Sequence, residues 1–244
     1  MKLKLIILAI ISAFILTACH KHEKTNHNAE TAIMKNEEGD STLYGLACDA
    51  NNDSVISIMS YNLDDPQNYS IIPAFKNHQI HGFPTTGSNI AVILSADKKS
   101  AKRIINIDKL CGTWYYSAIP ELQKPASMTE SQFQKFCQHF MEKISDEQRD
   151  SIFKPVEYSI QLHQNNTVSC MSPMKIINDD RIQIVKYPRM KFYKEWRLYN
   201  GHLLLSTTKP QNSIDTCDFE IKHQDTLIIH FKNKTQHYYR KNIK

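Results

Sequence analysis

Glycine is scarce in this chain, with six among 244 residues. So few glycines oblige other residues to occupy left-handed turn positions, which Asn and Asp tolerate best. Asn51-Asn52, Asn165-Asn166 and Asn178-Asp179-Asp180 suit that need, and Asn200-Gly201 is the best hairpin turn signal in the chain. Cysteine is also sparse and badly spaced for a framework. Beyond Cys19 there remain Cys48, Cys111, Cys137, Cys170 and Cys217, an odd set with no C-x-x-C pair. That argues against a zinc ribbon and a complete set of disulfides. There is no Gly-rich phosphate loop, no G-x-S-x-G elbow and no H-E-x-x-H helix. His78 and His81 stand three apart without a helix or nearby carboxylate to make them a metal pair. The expectation is therefore a protein with no catalytic residue, no metal and no cofactor. A net charge of +5, falling to +3 without Lys2 and Lys4, is too mild and too dispersed for nucleic acid.

The chain does have a well-marked start. Lys2 and Lys4 precede an apolar run from Leu5 to Leu16 that only Ser12 interrupts. The run is shorter than the ~20 residues a membrane-spanning helix needs. It leads into Leu16-Thr17-Ala18-Cys19, which resembles a bacterial lipobox. Residues 1–19 are read as a lipoprotein signal peptide with Cys19 as the site of lipidation. Residues 20–41 are polar and aperiodic, a flexible tether whose three histidines (His20, His22 and His27) lack any rigid geometry for a metal. His20 after the cysteine does not resemble an inner-membrane retention signal, so the expected location is the outer membrane, lipid-anchored, on either face.

Residues 42–108 hold five or six short extended runs, among them Thr42–Asp49, Ser54–Tyr61, Asn89–Ser95 and Arg103–Ile107. They suggest a small N-terminal β-barrel of the OB or SH3-like kind. The absence of a hinge before Gly112 implies that this domain packs against the next.

Residues 110–241 read as a second, larger β-domain. Thr113–Ala118 is its first strand. A helical stretch follows, with a capping box at Thr129-Glu130-Ser131-Gln132. Phe133, Phe136, Cys137, Phe140, Met141 and Ile144 then form one apolar stripe, expected to pack as a lid over a barrel end. After Pro155 the chain is nearly all strand. Val156, Tyr158, Ile160 and Leu162 alternate with polar residues, and Phe192, Lys194, Trp196 and Leu198 fall on one face of Lys191–Tyr199. Arg181–Tyr187, His202–Thr207, Ile214–Ile221, Leu227–Phe231 and Gln236–Arg240 complete the set. Eight or nine successive antiparallel strands can close into an up-and-down barrel.

Gly112-x-Trp114 at the start of that barrel, with Arg240 near its end, resembles the lipocalin-like families, and the similarity covers roughly residues 110–241. It implies that Gly112 permits a turn at the closed end, that Trp114 plugs that end, and that Arg240 lies over the indole. The fold class expected is mainly β: the small barrel followed by a lipocalin-like antiparallel up-and-down β-barrel with a helical insert after its first strand.

Two functional readings follow. In the first, the barrel binds a small apolar or amphipathic ligand, lined by Tyr116, Tyr158, Phe192 and Trp196. In the second, the barrel is solid and the lipoprotein docks onto an envelope protein partner through residues 42–107. A cavity-lining Trp196 favours the first, and an exposed aromatic patch on the smaller domain favours the second. Finally, Asp40-Ser41-Thr42 and three similar triplets resemble an acceptor for O-glycans, with Ser41 in the tether the best placed.

Overall fold

A computed structural model describes residues 38–49, 54–61, 65–172, 185–207, 213–223 and 225–241. Cys19, the tether up to residue 37, and the turns expected at 51–52 and 178–180 lie outside the described residues. The described residues belong to one compact unit, Ile33–Lys244. Both apolar cores lie wholly within it, so that unit can fold on its own.

The first sheet contains β1 (Leu43–Asp49), β2 (Val55–Ser60), β3 (Gln67–Ser70), β4 (Ile80–His81), β5 (Asn89–Leu94) and β6 (Ala101–Asn106). Its order is β3-β2-β1-β5-β6-β4, antiparallel throughout except that β4 runs parallel to β6. Ser70, ending β3, makes one parallel bridge to Ser100 ahead of β6. Alternation drives the packing: Ile56 and Ile58 of β2 point inward beside Ala47, Ile90 and Ile104. A short helix, α1 (Ile72–Lys76), follows β3, and Pro73 in its first turn fixes a helical φ there.

The second sheet comprises β7 (Gly112–Ala118), β9 (Val156–Leu162), β10 (Val168–Met171) and β12 (Tyr193–Tyr199), then β13 (His202–Thr207), β14 (Ile214–Lys222), β15 (Thr226–Phe231) and β16 (Lys234–Tyr239). The order β10-β9-β7-β16-β15-β14-β13-β12 joins first strand to last and makes a nearly closed eight-stranded antiparallel barrel. Between β10 and β12 a single bridge, Thr167 to Glu195, and the bond from Trp196 N–H to the Asn166 carbonyl approach closure. Asn166, Asn200 and His223 take positive φ at the hairpins, as the shortage of glycine requires. Of the expected strand 181–187 the described part is β11 (Val185–Lys186), which pairs with β8 (Glu121–Leu122) outside the barrel. Val185–Lys186 is thus not a barrel strand, and residues 181–184 lie outside the described residues.

Between β8 and β9 stand α3 (Glu130–Lys143) and α4 (Asp146–Ile152), each opened by a reciprocal capping box at Thr129 and Ser145. The apolar stripe of α3 is only half-buried. Phe133, Phe136 and Phe140 stack along the helix at 6.5 and 6.0 Å, and no residue of either helix is buried or joins a core. Among the described residues the stripe therefore covers no barrel end as a lid would. No helix among the described residues is long and apolar enough to cross a membrane.

The two sheets share one core. Tyr44, Ala91, Ile105 and Leu110 belong with Trp114, Trp196 and Phe219 to a single apolar cluster. Asn106 ends β6 and caps a one-turn helix, α2 (Ile107–Leu110), which delivers the chain to Gly112. Gly112 adopts φ +121°, a conformation that L side chains rarely take. Trp114 is fully buried and its indole N–H donates to the Leu110 carbonyl at 2.8 Å. Arg240 lies over that ring, its guanidinium carbon 4.2 Å from the centroid, while Nη2 donates to the carbonyls of Lys109 and Cys111 at 2.5 and 2.7 Å. The three residues named for the barrel base thus meet at one end.

Removing Arg240 would strand two carbonyls at the base and uncover the indole. Arg240→Ala is expected to destabilise residues 33–244 by about 2–4 kcal/mol in urea unfolding, and Arg240→Lys to recover little, since an ammonium lacks the planar fork. Wild-type stability in Arg240→Ala would refute this role.

Candidate functional site

The base fixes the direction of every strand. β7 leaves Gly112 and reaches the opposite end at Ala118, where the β15–β16 turn at Lys232-Asn233 also lies. Between the two ends the lumen is filled. Trp196, 1% exposed, donates its indole N–H to the His163 carbonyl at 2.8 Å and packs in the shared core with Phe219 and Leu205. Above them lies a layer of tyrosines. Tyr116 stacks on Tyr158 at 4.9 Å, and Tyr238 meets Tyr116 edge-on at 5.2 Å. The Tyr158 hydroxyl is fixed by donation to the Pro188 carbonyl at 2.7 Å.

This layer floors a cleft of about 520 Å³ at the open end. Tyr116, Met190, Tyr193, Ile214, Phe231 and Tyr238 supply its apolar surface, and Arg189, Lys191, Lys232 and Lys234 supply positive charge around Asp215. Asp215 accepts from Lys191 at 2.7 and 2.8 Å and from the Tyr193 hydroxyl at 2.7 Å. Burial tends to raise its pKa, but those two donors prevail and hold the carboxyl below its ordinary value. The phenols shift the other way. Burial, then the neighbouring Tyr158, pushes Tyr116 up to about 12, and burial followed by the bond to Asp215 drives Tyr193 higher still. Both stay protonated at neutral pH, and Tyr193 donates to Asp215.

The four expected lining residues are not brought together. Tyr116 borders the cleft, Tyr158 supports it from below, and Trp196 is core and borders nothing open. Phe192 is the clear correction: it precedes β12 and is 56% exposed. A register shift between Tyr193 and Glu195 inserts an extra residue, so Tyr193 faces inward with Trp196 and Leu198 while Phe192 falls on the outside. Strict alternation from Trp196 backwards has the wrong phase beyond that bulge. Ser41 is exposed but held: its hydroxyl donates to Asn200 Oδ1 at 2.7 Å, so it is no part of a loose tether.

A second cleft, of about 600 Å³, lies between α1, β4 and β14, lined by Phe75, His78, Ile80, His81, Phe83 and residues 220–222. Phe75 and Phe83 are 59% and 46% exposed there. His81 is 2% exposed, and its Nε2 has no hydrogen-bond partner. Burial first, then the charge of Arg103, lowers its pKa to about 4 against the opposing pull of Glu220 and Asp218. It is a neutral core histidine.

Among the described residues no cluster of three or more His, Cys, Asp or Glu side chains is placed to hold a metal, and all five described cysteines are free. Burial raises the Cys111 and Cys217 thiols to about 12, which leaves them unreactive. Comparison with protein-family models, with curated proteins and with solved structures finds no match to this chain.

The lowered pKa of His81 has a signed consequence. Its folded value is below the unfolded one, so its contribution is intact above pH 6.5 and is lost as pH falls toward 4. Between pH 7 and 4.5 it should remove about 2–3 kcal/mol of stability. Urea unfolding of His81→Phe at the two pH values should show a drop smaller by roughly that amount. An identical drop in variant and wild type would contradict this.

Proposed function

We propose that this chain is an envelope lipoprotein that binds a small apolar or amphipathic molecule at the open end of a lipocalin-like barrel. The aromatic cleft above the tyrosine layer carries this reading. Its size falls within the ~300–1,000 Å³ usual for small-molecule sites, and it joins an apolar floor to a few polar groups at one rim. The lipocalin-like assignment draws support from eight antiparallel strands in cyclic order and from Gly112, Trp114 and Arg240 at one end. The OB kind of small barrel is supported for the first sheet by the parallel Ser70–Ser100 bridge, which would bring β3 beside β6. Leu16-Thr17-Ala18-Cys19 supports lipidation at Cys19 and an outer-membrane location. We read it as a holding site, whose phenols Tyr116 and Tyr193 stay protonated at neutral pH.

A second reading, an accessory lipoprotein that docks onto an envelope partner, is favoured by one observation. Trp196 is solid core, and Phe75 and Phe83 stand exposed on the smaller domain. The two readings separate in one experiment. Residues 33–244, purified from cells and weighed by native mass spectrometry, should carry an added mass that denaturation releases. Thr216→Trp, a substitution at an exposed position on the cleft rim, should abolish it. Absence of any added mass, with no uptake of apolar dyes, would leave the docking reading in possession.

A further inference from the structure

Resting on the reading of the open end as a ligand site, we infer that its ligand is an anionic amphiphile: one negatively charged head on a compact apolar body. The inference follows from which groups around the cleft are already committed. Asp215, the one carboxylate in the lining among the described residues, is neutralised by Lys191 and bonded by Tyr193. Arg189, Lys232 and Lys234 line the same cleft and form no ion pair with any described residue. Lys234 also stands over the Phe231 ring, 5.6 Å from its centroid, which holds its ammonium beside the apolar floor. Two further donors rise from that floor. Tyr116 and Tyr238 are more than nine-tenths buried and border the cleft, yet neither hydroxyl has a hydrogen-bond partner among the described residues.

Three cations without an ion pair and two unbonded hydroxyls therefore line one cleft in which, among the described residues, no unpaired carboxylate answers them. A molecule rich in acceptor oxygens and bearing negative charge satisfies both sets at once. The body must be compact, because the stacked tyrosines close the cleft from below and Trp196 and Phe219 fill the lumen beneath. A long chain has nowhere to descend. Carboxylate, sulfonate and phosphate heads share the required chemistry, and a cationic head of equal size meets only repulsion.

A matched pair of fluorescent probes tests this on residues 33–244. 8-Anilinonaphthalene-1-sulfonate and N-phenyl-1-naphthylamine have the same aromatic body and differ in the sulfonate. The sulfonate is expected to bind at least about tenfold more tightly, with a preference that shrinks as salt rises. The double variant Lys232→Gln/Lys234→Gln should lose most of that preference while its affinity for the neutral probe stays unchanged. Tyr238→Phe, which keeps the ring and removes the donor, should weaken the sulfonate a few-fold and leave the neutral probe alone. Equal binding of both probes, blocked by Thr216→Trp, would overturn the charge inference and keep the site. Binding of neither probe, or sulfonate binding that persists in Thr216→Trp, would overturn both.

Discussion

A guanidinium laid on an indole sets the terms for this barrel. Arg240 covers Trp114 and at the same time bonds two carbonyls of the segment that enters the first strand. One side chain thus ties the last strand to the beginning of the first, at the point where an antiparallel barrel must join its ends. The glycine that follows the two accepting carbonyls is part of the same arrangement. A Cβ at Gly112 would meet Arg240 Nη2 at 3.4 Å, and its backbone already occupies a conformation that side chains resist. Everything above this plug inherits its position: strand direction, the inward phase of Tyr116 two residues beyond Trp114, and hence the tyrosine layer.

The location of the cleft is a packing consequence. Large residues are spent low in the barrel, where Trp114, Trp196 and Phe219 merge with Tyr44, Ile105 and Leu110 of the first sheet into one core. A lumen continuous with a neighbouring domain's core has no room for solvent, so space remains only at the far end. There the side chains are amphipathic, presenting rings to the floor and hydroxyls or ammonium groups to the rim. The first sheet therefore helps to close the end opposite the cleft.

Much of this was legible in the residues and some of it was not, for physical reasons. Trp114 and Arg240 could be paired only through the resemblance of Gly112-x-Trp114 and a late arginine to lipocalin-like barrels, and the guanidinium does lie over the indole. Val156 to Leu162 alternated cleanly because one face is core and the other is not. Phe192 misled because a bulge changes phase without leaving a mark in hydrophobicity, and Tyr193 is as apolar in pattern as its neighbour. The basic rim was hidden in plain view: Lys232-Asn233-Lys234 reads as a solvated turn until Phe231 and Tyr238 are placed beside it. In α3 the capping box and stripe defined a helix, but periodicity says which face is apolar and not what meets it. No described neighbour seals that face.

The described chain begins at the plugged end. Tyr199 donates to the Glu38 carbonyl, Asn200 Nδ2 to that of Gly39, and Asp40 accepts from the Asn200 and Thr42 N–H groups. Tyr44 links the same carboxylate to the carbonyl of Leu198. Any leash upstream of residue 38 therefore pulls on the closed end, through a hairpin already stitched to both sheets. Force along that leash runs into the densest part of the molecule and bypasses the tyrosine floor and its basic rim. Under the proposed function, ligand exchange at the rim and tension on a lipid tether would be mechanically separate, so capture and release would not loosen the moorings.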